Sequence, residues 1–226
     1  MKPPALDLFC GAGGATKGLQ MAGFHVTGVD IKPQPRYCGD TFVQADAMTF
    51  PLHGYDFIWA SPPCQGYSRL RHLPWLRDRK WPKLIGPLRR RFLEFPHIPH
   101  VIENVEDAPL SGFILCGQSF GLPLYRHRKF ETNFYPGLLP PHTPHREVIG
   151  HGRMVNDRRK GTLNNCSARG AWGNQKIITV AGGQFKKADG VRAMAIDWMT
   201  KGELAQAIPP AYSEFIGRQI MRIYDL

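Results

Sequence analysis

Residues 60–68 read Ala-Ser-Pro-Pro-Cys-Gln-Gly-Tyr-Ser and follow directly on the apolar run Tyr55–Trp59. Two prolines fix the backbone ahead of Cys64 and oppose helix through Ser61 and Pro62, so the thiol is carried at the edge of a strand. A single cysteine is most often core packing. Here its neighbours are Pro63, Gln65, Gly66 and Ser68, poor material for a core, and the pattern points to a nucleophile. Glu103 and Asn104 close a second apolar run, His100–Val105, and offer a carboxyl for acid–base work; the plainer reading of Glu103 is a solvated strand end.

A third stretch, Leu6–Leu19, runs from an apolar strand through Gly11, Gly13 and Gly14 into a helical pattern. Such a turn lets backbone approach a ligand at the carboxyl end of a first strand, where open α/β sheets bind nucleotides. It matches neither familiar phosphate loop. Gly18 stands where a Walker loop needs Ser or Thr, and Thr16 stands where the dinucleotide fingerprint needs its third Gly, so a nucleoside fits better than a triphosphate. Asp30, closing the next apolar run, is placed to accept from a ribose diol. Asp46 has the same relation to the third run and could accept from an adenine amino group, or simply sit in a surface turn.

These groups need strands to hold them. Apolar runs predict strands at 5–9, 25–30, 41–46, 55–60, 100–105, 113–117 and 129–134, alternating early with helical or turn-rich connections, as in a parallel sheet covered by helices. Helices are expected between the first two runs, ending at Gly23, through Pro87–Phe95, and at the C-terminus on either side of Pro209 and Pro210. From Tyr135 to about Gly190 prolines, histidines, glycines and basic residues dominate, with only the run from Lys176 reading as a strand. The division expected is a catalytic domain of residues 1–134 plus 191–226, with 135–190 as a small inserted region.

Lys and Arg outnumber Asp and Glu by 29 to 18, a net charge of +11, which favours a polyanionic partner such as nucleic acid. Five widely spaced cysteines without a Cys-x-x-Cys pair point to a reducing, cytoplasmic setting, and no apolar stretch has the roughly 20 residues of a bilayer span. His97, His100, His142, His145 and His151 lack the paired spacing of a zinc site, so chemistry without a metal is expected.

Taken in order, Asp7–Leu19, Gly28–Asp30, Ser61–Ser68, Glu103–Val105, Gly121–Phe130 and Ala207–Gly217 resemble the motifs of DNA (cytosine-5)-methyltransferases, in the compact form of bacteria and their phages. The resemblance implies a doubly wound, mostly parallel, Rossmann-like α/β sheet with a small target-recognition lobe, acting as a cytoplasmic monomer of a bacterial cell or infected host on double-stranded DNA. It implies methyl transfer from S-adenosylmethionine to carbon 5 of a flipped-out cytosine through a bond from Cys64 to carbon 6. Glu103 is then the acid, and Arg126 and Arg128 the paired arginines, the second holding the cytosine O2. Cofactor contacts follow at Phe9, Gly11, Ala12, Gly13, Gly14, Asp30, Ile31, Asp46, Ala47, Pro63, Gln206, Tyr212 and Ser213. DNA contacts follow at Gln65, Ser68, Arg69, Arg71, Arg77, Arg79 and Lys80, with Arg158, Arg159 and Lys160 in the recognition lobe.

The same catalyst acting on RNA, and a silent DNA-binding protein of the same fold, are the alternatives. Two departures stand out: Leu124 replaces a Gln before the arginines, and Gln206 replaces an Asn beside the cofactor's methionine part.

Overall fold

The computed structural model describes residues 1–68, 72, 78–142, 168–169, 176–182 and 185–225. All seven runs expected in the sheet are strands: β1 (Pro4–Leu8), β2 (His25–Asp30), β3 (Thr41–Gln44), β4 (Phe57–Ala60), β5 (His100–Asn104), β6 (Phe113–Leu115) and β7 (Arg128–Thr132). They form one sheet in the order β3-β2-β1-β4-β5-β7-β6. The strands from β3 through β5 pair in parallel, and β7 is antiparallel to both β5 and β6. A short β8 (Ala168–Arg169) and β9 (Lys176–Ile177) pair separately.

The interior strands are apolar on both faces because both faces are covered. In β4, Phe57 and Trp59 enter one core cluster while Ile58 and Ala60 enter the other, as period-2 alternation requires. Helices α1 (Gly14–Ala22) and α5 (Pro210–Ile223) cover the first face, and α2 (Ile85–Phe92) packs Ile85, Leu88 and Phe92 on the second. A third cluster joins Leu124, Ile178, Val180 and Phe185 to α3 (Lys187–Met194) and α4 (Lys201–Gln206).

Two boundaries differ from expectation. Helix α2 begins at Ile85 rather than Pro87, because proline is tolerated anywhere in a first turn whose N–H groups have no partner. Helix α3 runs across residue 190, and Ile177, Ile178, Val180 and Phe185 are buried, so the chain after 176 packs into the main body. The glycine-poor but weakly periodic Lys187–Met194 gives little sequence signal for that helix.

Two close fits hold α1 in place. Gly18 lies against α5, where an added Cβ would collide with the carbonyl oxygen of Pro210 and the hydroxyl of Ser213. Asp7, fully buried in β1 on the α1 face, accepts from Thr16 Oγ1 at 2.5 Å through Oδ2, while its Oδ1 has no partner. Burial pushes its carboxyl up from 3.8 to about 7, against the opposing bond from Thr16.

Gly18→Ala is expected to destabilise the fold by about 3 kcal/mol or more, read as a lower denaturant midpoint. Since native Asp7 holds its proton more tightly than the unfolded chain does, stability falls as pH rises from about 4 to about 7. Asp7→Asn should remove that part of the slope; a melting temperature with the same pH dependence in both proteins would show that the slope comes from elsewhere.

Candidate active site

The direction of the connections reverses between β1 and β4, which are neighbours, and doubly wound sheets bind ligands at the carboxyl ends of such a pair. The glycine turn leaves β1 here and the Cys64 segment leaves β4. Phe9 at φ 61°, Gly11 at φ 51° and Gly13 at φ 88° give the turn its left-handed course. For an aromatic residue such as Phe9 that conformation is costly and marks a constrained site. Asp30 ties the turn down, accepting from Gly11 N through Oδ2 and from Lys32 N through Oδ1, both at 3.0 Å.

The three glycines do different work. A Cβ on Gly11 would meet nothing, whereas one on Gly13 would lie 2.8 Å from Cys38 Sγ and one on Gly14 2.5 Å from the Ile208 carbonyl oxygen. Gly11 therefore faces open space, and Gly13 and Gly14 let the chain pass itself. Beside Gly11 and the Asp30 carboxylate, Ile31 is 65% exposed, an apolar surface at a polar rim. Open backbone, a carboxylate and an exposed aliphatic face fit a nucleoside such as the adenosyl part of S-adenosylmethionine.

Other residues assigned to the cofactor by resemblance differ in what they expose. Ala12 is buried, and its carbonyl accepts from Trp198 Nε1. Ala47 is buried in the core on the α2 side, and Asp46, exposed, accepts from Met48 N in a surface turn. Tyr212 and Ser213 correct the expectation most clearly: both are fully buried, Tyr212 donating to the Arg126 carbonyl at 2.6 Å and Ser213 to the Ala15 carbonyl at 2.8 Å. They fasten α5 to the segment leading into β7 and to α1, with both hydroxyls already hydrogen-bonded. Gln206 is exposed at the end of α4, and Pro63 is half-buried beside Cys64.

The Cys64 segment is clamped on both sides. Asn104 Nδ2 donates to the Pro62 carbonyl at 2.8 Å, and its Oδ1 accepts from Val105 N. After the cysteine, Tyr67 N and Ser68 N donate to the Cys64 carbonyl, and Tyr67 Oη accepts from Ile85 N at the start of α2. Cys64 is half-buried, as are Gln65 and Ser68.

Glu103 is buried at the end of β5 and is not a solvated strand end. Arg128 Nε lies 3.1 Å from its Oε1 without hydrogen-bond alignment, which leaves that oxygen with a charge beside it and no hydrogen bond. The Ser61 hydroxyl accepts from Trp59 Nε1 at 2.9 Å and bonds to the Glu103 carboxyl. Burial raises the Glu103 carboxyl above its ordinary range, against Arg128, Ser61 and Arg126, which all favour the anion. Burial likewise raises the Cys64 thiol; Arg128 opposes the rise, Glu103 adds to it and Arg126 opposes it more weakly.

The two arginines are unlike. Arg126 is buried, donates to the carbonyls of Val180 and Ala205, keeps Nε unpaired, and is pushed down to about 9 by burial and then by Arg128. It staples the third core cluster to the catalytic edge. Arg128 alone contacts the carboxyl.

Arg79 and Lys80 are exposed, with the Arg79 guanidinium 6.0 Å from the centre of the Trp81 ring. Arg69, Arg71, Arg77, Arg158, Arg159 and Lys160 lie outside the described residues. Reading motifs one by one missed Ser61, Trp59 and Lys83, whose stem lies over Gly66; only the contacts of the folded chain reveal them.

No protein-family model matches the chain, and no curated protein matches it in sequence. Solved structures do. A prophage-encoded E. coli protein named for DNA modification methyltransferase activity superposes with a TM-score of 0.62 at 13% identity, covering 99% of this chain and all, 100%, of its own. The S. pombe Dnmt2 methyltransferase gives 0.59 at 14% identity with 100% of both chains covered. The Entamoeba histolytica methyltransferase EhMeth gives 0.56 at 11% with 99% of each. The chain thus has the Rossmann-like fold of S-adenosylmethionine-dependent methyltransferases.

Glu103→Gln removes a charge that raises the thiol and frees Arg128 to lower it, so Cys64 should be alkylated by iodoacetamide faster at pH 7.5 than in the parent, followed by peptide mass spectrometry. An unchanged or slower rate would show that the two side chains are not electrostatically coupled.

Proposed function

We propose that the protein methylates carbon 5 of cytosine in DNA, with Cys64 as nucleophile and Glu103 as acid. One observation carries the reading: a thiol and a buried carboxyl, whose hold on its proton burial strengthens, stand on adjacent strand ends, joined by the Asn104–Pro62 bond and flanked by Arg128.

Carbon 5 of cytosine is too weak a nucleophile to take a methyl group unaided. The Cys64 thiolate adds to carbon 6, and the displaced electron pair moves towards ring nitrogen 3. Glu103 gives its proton to that nitrogen, and the ring becomes an enamine whose carbon 5 is nucleophilic. Arg128 then faces a new Glu103 carboxylate and stabilises it, and in the role that the resemblance implies its guanidinium would also hold the cytosine O2. Gly11, Asp30 and Ile31 would hold S-adenosylmethionine, which when bound would supply the electrophilic methyl group. The proton on carbon 5 leaves to water, the carbon–sulfur bond breaks, and Glu103 recovers its proton from nitrogen 3.

Cys64 could not reach carbon 6 of a stacked base, so the nucleotide must leave the helix. Basic residues after the cysteine, among them the described Arg79, Lys80 and Lys83, would meet phosphates of an extruded strand, and the charge of +11 supports a polyanionic substrate.

The test is transfer of labelled methyl from S-adenosylmethionine to duplex DNA, with adduct formation on DNA carrying 5-fluorocytosine, whose fluorine cannot leave as a proton does. The parent should methylate and form an adduct stable to denaturation, and Cys64→Ser should do neither. Glu103→Gln should slow transfer at least 100-fold, the opposite sign to its effect on alkylation. Transfer to RNA but not to DNA in competition would reassign the substrate and keep the chemistry. Parent protein with neither transfer nor adduct on either nucleic acid would leave only a silent binding role.

A further inference from the structure

Away from the cofactor turn, the structure draws together three side chains that sequence spacing keeps apart. Potential ligand atoms of Cys116, His127 and His142 all lie within 4.8 Å of one another. The first two meet because of sheet register. Residues Phe113, Ile114 and Leu115 of β6 pair with Phe130, Lys129 and Arg128 of β7, and continuing that ladder by one step sets Cys116 opposite His127. His142 returns to them on the chain that leaves β7.

The chemistry of the cluster is that of a metal centre. His127 Nε2 and His142 Nε2 face each other at 3.0 Å. His127 Nδ1 lies 3.3 Å from Glu106 Oε2, an arrangement that keeps the proton on Nδ1 and turns the Nε2 lone pair towards His142. A carboxylate behind a histidine is the usual support of a metal-ligating ring. In a tetrahedral site with bonds of about 2.0 Å to nitrogen and 2.3 Å to sulfur, ligand atoms stand roughly 3.3 to 3.6 Å apart; here the two imidazole nitrogens are 3.0 Å apart and the thiol lies within 4.8 Å of both rings' ligand atoms, so small side-chain shifts would close the site. Cys116 is fully buried, His127 half-buried and His142 exposed, so a cation could reach the site from solvent and be shielded once held.

We propose that Cys116, His127 and His142 bind a zinc ion, with Glu106 orienting His127. A borderline-soft cation with one thiolate and two imidazoles matches this donor set better than magnesium or calcium, which take oxygen. The ion would fasten the start of the segment after β7 to the β6–β7 edge. His127 sits between Arg126 and Arg128, and adjacent residues of extended chain point to opposite sides. The ion would thus steady the strand that carries Arg128 without entering the reaction. Sequence spacing hid the site because its ligands are separated by 11 and then 15 residues, without a paired motif.

The experiment is metal analysis of the full chain after growth with zinc and gel filtration without chelator. The parent should carry about one zinc per chain, and His142→Ala, altered at an exposed position, at least tenfold less. Cobalt(II) reconstitution should give the near-ultraviolet thiolate absorption in the parent and in Cys64→Ser, and lose it in Cys116→Ser. The proposal is overturned if the reconstituted parent retains no zinc, if His142→Ala retains as much as the parent, or if the thiolate band follows Cys64. Because the readout is metal content and not methyl transfer, it stands or falls apart from the assigned reaction.

Discussion

The hydrogen bond from Asn104 to the Pro62 carbonyl is the constraint on which the site depends. The ladder aligns β4 with β5 only as far as Ala60 and Ile102. Beyond that the chain after β4 contains two prolines that can donate nothing, so the sheet cannot hold it. Asn104 spans the gap with a side chain, its amide giving to Pro62 and its oxygen accepting from Val105 N. Both partners are backbone groups, so the bond fixes main chain and not merely a rotamer. Glu103, the residue before Asn104, is carried to the same edge, and the distance between thiol and carboxyl is set by one short piece of backbone on each strand.

Putting a carboxyl at that point has an electrostatic cost that the structure balances and does not abolish. A buried carboxylate without a partner would hold its proton at any physiological pH, and one in a fully bonded ion pair would give it up. Glu103 lies between these limits, with Arg128 in charge contact but out of hydrogen-bond alignment and Ser61 bonded to the carboxyl. The same guanidinium favours the thiolate of Cys64, which Glu103 opposes. A proton on Glu103 therefore makes the thiolate easier to form, and the protonation states of the two groups are coupled. Arg126, bound to the carbonyls of Val180 and Ala205, adds a second positive charge at longer range.

Strands were legible because parallel interior strands are continuous apolar runs, and the segments ending at Asp30, Ala60 and Asn104 are bounded by polar or proline residues on the ligand side. Cys64 and Glu103 could be read for the same reason: each is chemically out of place beside such a run. What could not be read is what depends on partners distant in sequence. Tyr212 and Ser213 look like polar residues near a cofactor motif, yet they close the α5 contact with β7 and α1. Gly14 looks like part of a ligand cradle, yet it makes room for Ile208. Helix α3 has a buried face of Gly190, Ala193 and Met194, too small a stripe to stand out in a basic stretch. The Cys116, His127 and His142 cluster depends on a hairpin register and on the return of the chain, neither of which has a local pattern.

These distant contacts converge on the glycine turn, and their convergence says when the cofactor surface exists. Ala12 accepts from Trp198, Gly14 abuts Ile208, Ala15 accepts from Ser213, and Gly18 abuts Pro210. Each links the first strand–helix unit to the last quarter of the chain, and Arg36 adds a contact to Glu203, the residue that completes the capping box of α4. The end of the turn and the start of α1 are thus held by residues nearly 200 positions away along the chain. A chain ending before α4 would keep the strands, the Cys64 segment and Trp198 but lose Ile208, Pro210 and Ser213, which pack on the turn and the start of α1. The open surface beside Gly11 is therefore a property of the closed fold, made when α5 docks on α1, and the Asn104–Pro62 bond, which needs only the ends of β4 and β5, is independent of it.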